Sequence, residues 1–337
     1  MKQYFIISAL LAFTVTAVPA IPVCFSGRSL AAGNEEILKI EEVNIPESPE
    51  FSSEPYKVLD VSTGKVLEVP VKDYVTGAVF AEMPADFSDE AIKAQAVAAH
   101  TYAERQRMKE RSSPTRELCG ADFSNDTSKY QGYFTEAQAK QYFGDDFEKY
   151  YGKISTDADE VIDFIITYND EPIIAAFHSM SPGKTESAEN AWGNAAPYLL
   201  PVDSIYDTDA PDYMEEVRFT DELLRTRLTS SFGDISLGDD FTEWIEILKV
   251  SDSGTVLSAN AGDKQVSGND IRSALGLRSA CFEIRYEGSE AVITTKGFGH
   301  GVGMSQYGAE HMASEGKNWR DILNYYYTGC KIESCSS

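Results

Sequence analysis

Residues 87–111 read FSDEAIKAQAVAAHTYAERQRMKER, and this stretch decides the kind of fold the chain can adopt. Ile92, Gln95, Ala96, Ala99 and Tyr102 recur at the helical period. Ser88 stands where an N-cap belongs, and Asp89 and Glu90 complement the dipole in the first turn. Phe87 and Ile92 are spaced as a hydrophobic staple. The run predicts a long helix from Asp89 to about Arg111. Its alanines let another element come close, and its polar continuation, ERQRMKERSS, faces solvent before Pro114. Directly upstream, GAVFAEMP (77–84) sets one acid, Glu82, among Val79, Phe80, Ala81 and Met83. A loop fixed by so rigid a neighbour holds Glu82 in place. Taken alone, a glutamate beside a proline is ordinarily a solvated surface residue.

Strands and short helices surround this element. YKVLDVSTGKVLEVPV (56–71) reads as a hairpin about a Ser-Thr-Gly-Lys turn, and VIDFIITYNDEPIIAAFHSM (161–180) as a second hairpin about NDEP, with His178 at the exit of its second strand. TEWIEILKVSDSGTVLSA (242–259) and CFEIRYEGSEAVITT (281–295) are further strand pairs. SGNDIRSALGL (267–277) is a short helix after an Asn269 cap. SQYGAEHMASEG and NWRDILNYYYTG close the chain as helices ended by Gly316 and Gly329. Strand pairs and helices alternate without a repeating strand–helix–strand unit, so the expected class is α+β.

The totals narrow the function. A chain of 337 residues with 42% hydrophobic and 25% charged residues is globular. Its net charge of −25 argues against nucleic-acid binding by phosphate neutralisation. After Met1-Lys2-Gln3 no charge occurs from Tyr4 to Phe25, a stretch of ~20 residues near bilayer-spanning length. Small residues at 29–33 also suit cleavage after Ala31. Residues 1–33 are therefore a membrane anchor or a signal peptide, and the body lies outside the cytoplasm. Residues 34–54 are an acidic, Pro- and Ser-containing linker, and 55–337 form the functional domain. In an oxidising compartment Cys330 and Cys335 could pair.

The least ordinary stretch is KGFGHGVGMSQYG (296–308), with glycines at 297, 299, 301, 303 and 308 around His300, Ser305 and Gln306. Such a loop gives up helix and strand propensity in exchange for close backbone approach. It lacks the Lys–Ser/Thr ending of a phosphate cradle, and read from its residues alone it is either a tight turn or a functional loop. No HExxH spacing joins His100, His178, His300 and His311, no CxxC is present and GxSxG is absent, so neither a zinc centre nor a serine triad is indicated.

Four segments taken together are specific: 69–103, 177–204, 267–284 and 297–329, in that order. They resemble the stage II sporulation protein D family, lytic transglycosylases of peptidoglycan, over roughly Tyr56 to Ile332. The resemblance implies that Glu82, in the family's EMP motif, is the catalytic acid and base. It implies cleavage between N-acetylmuramic acid and N-acetylglucosamine with a 1,6-anhydro product, on peptide-stripped strands, during septal wall remodelling in sporulation engulfment. It places His178, Ser179, Trp192, His300, Ser305 and Gln306 along a substrate cleft, with Tyr198, Tyr102 and Tyr130 as further stacking candidates. The partners it implies are glycan strands, a peptidoglycan amidase and a membrane scaffold protein, with the N-terminal segment as anchor. The chain departs from the family in having His100 where Arg is usual, Lys296 for Arg, and Pro182 in a glycine-rich loop. Some members bind zinc after the long helix, but here only Cys119 remains in that segment, so no cofactor is expected. A non-catalytic wall-binding protein that stimulates an amidase is the alternative. A plain hydrolase would need a second carboxylate.

Overall fold

The computed structural model describes residues 54–335. The anchor or signal segment and nearly all of the acidic linker lie outside the described residues. Among the described residues no helix is long and apolar enough to cross a membrane.

The chain folds as α+β with several small sheets. β1 (Tyr56–Asp60) and β2 (Lys65–Val69) form the expected antiparallel hairpin, and β3 (Phe123–Ser124) joins β1 in parallel. Between them run α1 (Val71–Glu82) and α2 (Asp89–Ser112). Next come α3 (Glu136–Phe143), α4 (Phe147–Val161), then β4 (Phe164–Tyr168) and β5 (Glu171–Pro172), whose hairpin turns at Asn169-Asp170, both at positive φ. β6 (Phe177–His178) and α5 (Ala188–Trp192) follow. β7 (Met214–Thr220), α6 (Asp221–Phe232), β8 (Ile245–Val250), β9 (Val256–Ala261), β10 (Lys264–Val266), α7 (Gly268–Leu275), β11 (Phe282–Glu287) and β12 (Glu290–Lys296) make up a separate lobe. The chain then returns through β13 (Met304–Ser305), α8 (Gln306–Ser314), α9 (Trp319–Tyr326) and β14 (Lys331–Ser334).

Among the described residues two large apolar cores result, with a small third cluster at Leu59, Leu118 and Ala121. One gathers α1, α2 and α4 with β4, α8 and α9 around Val75, Ala78, Ile92, Ala96, Ala99, Ile166 and Tyr326. The other, around Phe219, Leu224, Trp244, Ile271 and Ile293, belongs to the 214–296 lobe. α2 is the axis of the first core. Its alanines at 91, 94, 96, 98, 99 and 103 are essentially without exposure, which is what lets several helices and β4 pack directly against it.

Several local expectations are revised. His178 does not end the second strand of the NDEP hairpin: that strand is only β5, and His178 lies in β6, which pairs with β13. The stretch before α2 is not a loop: it is α1, whose Val71, Tyr74, Val75, Ala78 and Val79 follow the helical period and which ends on Glu82. Ser88 starts α2, but its hydroxyl and amide both donate to Glu310 of α8, so the cap is tertiary rather than local. The polar end of α2 is not wholly solvated. Glu104 and Arg107 are buried and pair at 2.5 Å, and Glu104 also accepts from Tyr56 Oη at 2.6 Å. α7 is capped by Ser267 and Asp270 in a reciprocal box, while Asn269 donates instead to the carbonyl of Ala191.

His100 faces this buried network, its Nε2 3.6 Å from Glu104. The carboxylate it meets is therefore a structural one that Arg107 already neutralises. Burial pushes Glu104 upward, but His100 and Arg107 outweigh it and hold the carboxyl below its ordinary value.

Cys330 and Cys335 are both free thiols. They flank the extended strand β14, which sets them ~16 Å apart, far beyond the reach of a disulfide. The pairing that their closeness in sequence left open is thereby excluded.

Candidate active site

Glu82 is the last residue of α1, half-buried, with Met83 already extended and Pro84 preventing continuation of the helix. Its position rests on two long-range contacts. Gly132 donates its amide to Glu82 Oε1 at 3.3 Å, from the 131–134 segment that crosses α1. Gln306 donates its side-chain amide to the Glu82 carbonyl at 2.9 Å, with Gln95 of α2 as a longer second partner at 3.4 Å. Burial pushes the Glu82 carboxyl up to about 7, the Gly132 amide pulling slightly against it. A carboxyl with that pKa carries its proton through a good part of the neutral range and can still lose it.

The crossing segment is seated by Gly77. A Cβ there would lie 2.1 Å from the carbonyl oxygen of Phe134, whose amide donates to the Gly77 carbonyl at 2.9 Å. The glycine in GAVFAEMP thus allows the strand-like segment to touch α1, and that contact brings Gly132 to Glu82. Tyr102 Oη accepts from the Gln131 amide at 3.2 Å, and Gln131 lies 3.5 Å from Tyr74 Oη.

The glycine loop packs against β6. β13 runs parallel to β6 and sets Ser305 opposite His178. Gly299 has φ 115° and would place a Cβ 2.7 Å from that of His178, so only glycine fits. The two histidine rings stand 5.8 Å apart, and Trp192 meets His300 edge-on at 5.2 Å. His300 Nδ1 accepts from the Val302 amide at 3.0 Å. His178 Nδ1 faces the Val302 carbonyl at 3.1 Å, the geometry of a donor, which leaves Nε2 a bare, buried acceptor. Burial drives both pKa values down, His178 to about 4 and His300 well below its ordinary value, so both rings are neutral.

The six other candidates divide by exposure. Ser305 is fully buried; its hydroxyl caps α8 through the Gly308 amide and donates to Asp207 at 2.8 Å. Gln306 is spent on Glu82 and Gln95. His178 is sealed. Ser179, Trp192 and His300 are half-buried. Tyr198 belongs to the core, with its hydroxyl accepting from the Ile174 amide and its ring on Tyr168. Two cavities, of about 340 Å³ beside α1 and about 270 Å³ beside Glu186, both leave Glu82 outside their linings.

Several supporting residues carry no sequence signal. Asp207, fully buried, accepts from the Ser181 amide and hydroxyl and from Ser305. Glu186 accepts from the Ser187 amide, Asn190, Ser251 and Ser253, and so ties the 214–296 lobe to the loop beside His300. Cys119 is exposed, and among the described residues no group of three His, Cys, Asp or Glu side chains converges as metal ligands. The residues around Cys119 do not fit a zinc centre.

Fold and site together define an α+β protein that presents one near-neutral carboxyl at a helix end, braced by a glycine loop from the far end of the chain. A family model described as stage II sporulation protein matches residues 60–168, which include Glu82 and all of α2. The chain is 37% identical over 305 residues to stage II sporulation protein D of Bacillus amyloliquefaciens, covering 90% of this chain and 83% of that protein. Against stage II sporulation protein D of Bacillus subtilis (strain 168) it is 37% identical over 308 residues, covering 91% and 84%. It is also 26% identical over 309 residues to the amidase enhancer of Bacillus subtilis (strain 168), covering 77% of this chain and 40% of that protein. The chain belongs to the stage II sporulation protein D family.

Proposed function

We propose that this sporulation protein is a lytic transglycosylase that cuts peptidoglycan glycan strands with Glu82 as its one acid–base group. The observation that supports this is the Glu82 carboxyl, lifted to about 7 by burial and steadied by Gly132. Protonated, Glu82 delivers its proton to the glycosidic oxygen between N-acetylmuramic acid and N-acetylglucosamine. As a carboxylate it then takes the proton of the muramic acid C6 hydroxyl, whose oxygen closes on C1 to give the 1,6-anhydro sugar. No water is consumed, and no second carboxylate is required, unlike the paired acids of hydrolytic glycosidases. In this reading Trp192, Ser179 and His300 contact sugar rings and N-acetyl groups. His178, Ser305 and Gln306 act by holding the loop and Glu82 in register. The substrate is peptide-stripped wall at the sporulation septum, met outside the cytoplasm by a body that residues 4–25 anchor to the membrane. An amidase that strips the strands and a membrane scaffold are its partners.

A second reading is favoured by the likeness to the amidase enhancer: a wall-binding protein that stimulates an amidase without cutting glycan. One experiment separates the two. Purified protein and its Glu82→Gln variant are incubated with peptide-free glycan strands, and products are read by mass spectrometry. Fragments lighter by one water than hydrolytic sugars, absent with the variant, are expected. Hydrolytic masses, or an active variant, would overturn the lyase reading. Bound but uncut strands would favour the stimulator.

A further inference from the structure

α1 has a second working face. Opposite the buried stripe that leads to Glu82, Asp73, Thr76, Gly77 and Phe80 floor the cavity of about 340 Å³, with Tyr133, Phe134 and Tyr151 among its walls. Phe80 and Tyr151 stack at 5.9 Å, and Gly77 fixes Phe134 against the helix. The opening carries Glu68, Asp73 and Glu136, all exposed, and no Lys, Arg or His contributes to the lining. Lys72, the nearest base in sequence, turns to Asp159 at 2.8 Å. The wall also contains an unsatisfied group: Thr76 is 2% exposed and its hydroxyl has no hydrogen-bond partner. A buried hydroxyl without a partner is costly, and a donor or acceptor arriving in the cavity would remove that cost.

One side of the cavity is formed by Leu67, Glu68 and Val69 of β2. β2 is the end strand of its sheet, so its outer edge has no strand beside it among the described residues. Val66 and Leu67 on it are 38% and 40% exposed. An open, apolar edge strand is a template for another extended chain unless something covers it.

We propose that this cavity and the β2 edge form a docking groove for an extended, basic segment of a partner protein. The segment pairs along β2 and places a Lys or Arg side chain over the aromatic floor, its charge among Glu68, Asp73 and Glu136. The acidic rim selects for cations and against anions. The chain's own 34–54 stretch, rich in glutamate, has the same sign as the rim and is thereby disfavoured as the occupant. Peptide-stripped muramic acid carries a carboxylate and is disfavoured on the same ground. Glu82 does not line the groove, although the Gly77–Phe134 contact in its wall also seats the segment that brings Gly132 to Glu82. Glu68, Glu136 and Thr76, the positions varied below, make no contact with Glu82.

The test uses the full chain and a short fluorescein-labelled peptide of alternating Val and Lys, read by fluorescence polarisation at physiological salt. Expected are saturable binding and about tenfold weakening in the Glu68→Lys/Glu136→Lys double variant. Glu243→Lys, a charge reversal on an exposed turn of the other lobe, is expected to change little. Equal weakening by Glu243→Lys would reduce the effect to net charge and overturn the proposal. Thr76→Val is nearly isosteric and is expected to keep or raise the melting temperature while weakening the peptide roughly fivefold, the worth of one hydrogen bond. A peptide with N-methylated backbone amides is expected to lose binding, because it cannot pair with the edge. Retained binding of that peptide, no binding of the first, or its displacement by neutral chitotriose would each overturn the proposal. Glycan cleavage is measured in parallel on every variant and is expected to be unchanged.

Discussion

Gln306 donates its side-chain amide to the backbone carbonyl of Glu82 at 2.9 Å, across 224 residues of sequence. The end of α1 leaves its last carbonyls without partners inside the helix, and Gln306 satisfies one of them. The residue that opens α8 therefore holds the residue that closes α1. Gln306→Leu is expected to cost ~1–3 kcal/mol, because the Glu82 carbonyl would be left without its amide partner. In the proposed reaction, glycan cleavage should fall in kcat more than it changes KM, since the acid remains but its aim is lost. An unchanged kcat in a folded variant would show that Gln306 does not position Glu82.

Glu82 has its folded pKa raised to about 7 from an ordinary value of 4.5. Between those values the unfolded chain has lost the proton and the folded chain keeps it. Stability therefore falls as pH rises from about 4.5 to 7 and is level above. The full penalty above that window is of order 3 kcal/mol. Glu82→Gln removes it, so urea titrations should show the variant gaining stability over the parent at pH 8 and little at pH 4. The acid step should fade as pH rises past about 7. A parent and variant with parallel stability curves would mean that the carboxyl is solvated.

Gly77 and Gly152 are both helical glycines, yet their expected substitutions have opposite signs. A Cβ at Gly77 meets the Phe134 carbonyl oxygen at 2.1 Å, whereas one at Gly152 meets nothing within 4 Å. Gly152→Ala should stabilise by ~0.5–1 kcal/mol through helix propensity. Gly77→Ala should destabilise by ~1–3 kcal/mol by forcing the 131–134 segment off α1. Removal of the Gly132 amide would then raise the Glu82 pKa further, which a shift of the alkaline limb of the rate profile to higher pH would register.

Cys330 and Cys335 lie at the two ends of β14 and cannot bond without unmaking that strand. The melting temperature of the full chain should be the same with and without dithiothreitol. A drop on reduction would mean that β14 does not form.

The sequence on its own determined the elements whose signals are local. α2 was legible from its acidic first turn, its period and its alanines. Two hairpins could be read from their turn residues, and the α+β class from the order of strands and helices. Glu82 stood out because an acid inside an apolar run is unusual, and the glycine loop because its composition suits neither helix nor strand. What escaped the sequence were interactions whose partners lie far apart along the chain. α1 was hidden because its helical period is short and carries a glycine, whose purpose appears only once Phe134 crosses it. The burial of Glu104 and Arg107 followed from Tyr56 packing over a helix face that looks solvated by composition. Asp207 and Gly132 have no motif around them, and Glu186 and Gln95 lie in segments whose motif says nothing of their partners, since a buried polar group acquires its role from the donors that converge on it. The pKa of Glu82 belongs to the same class: a carboxyl in sequence has its ordinary value, and only the tertiary fold, by excluding water and leaving it one amide, moves it to neutrality.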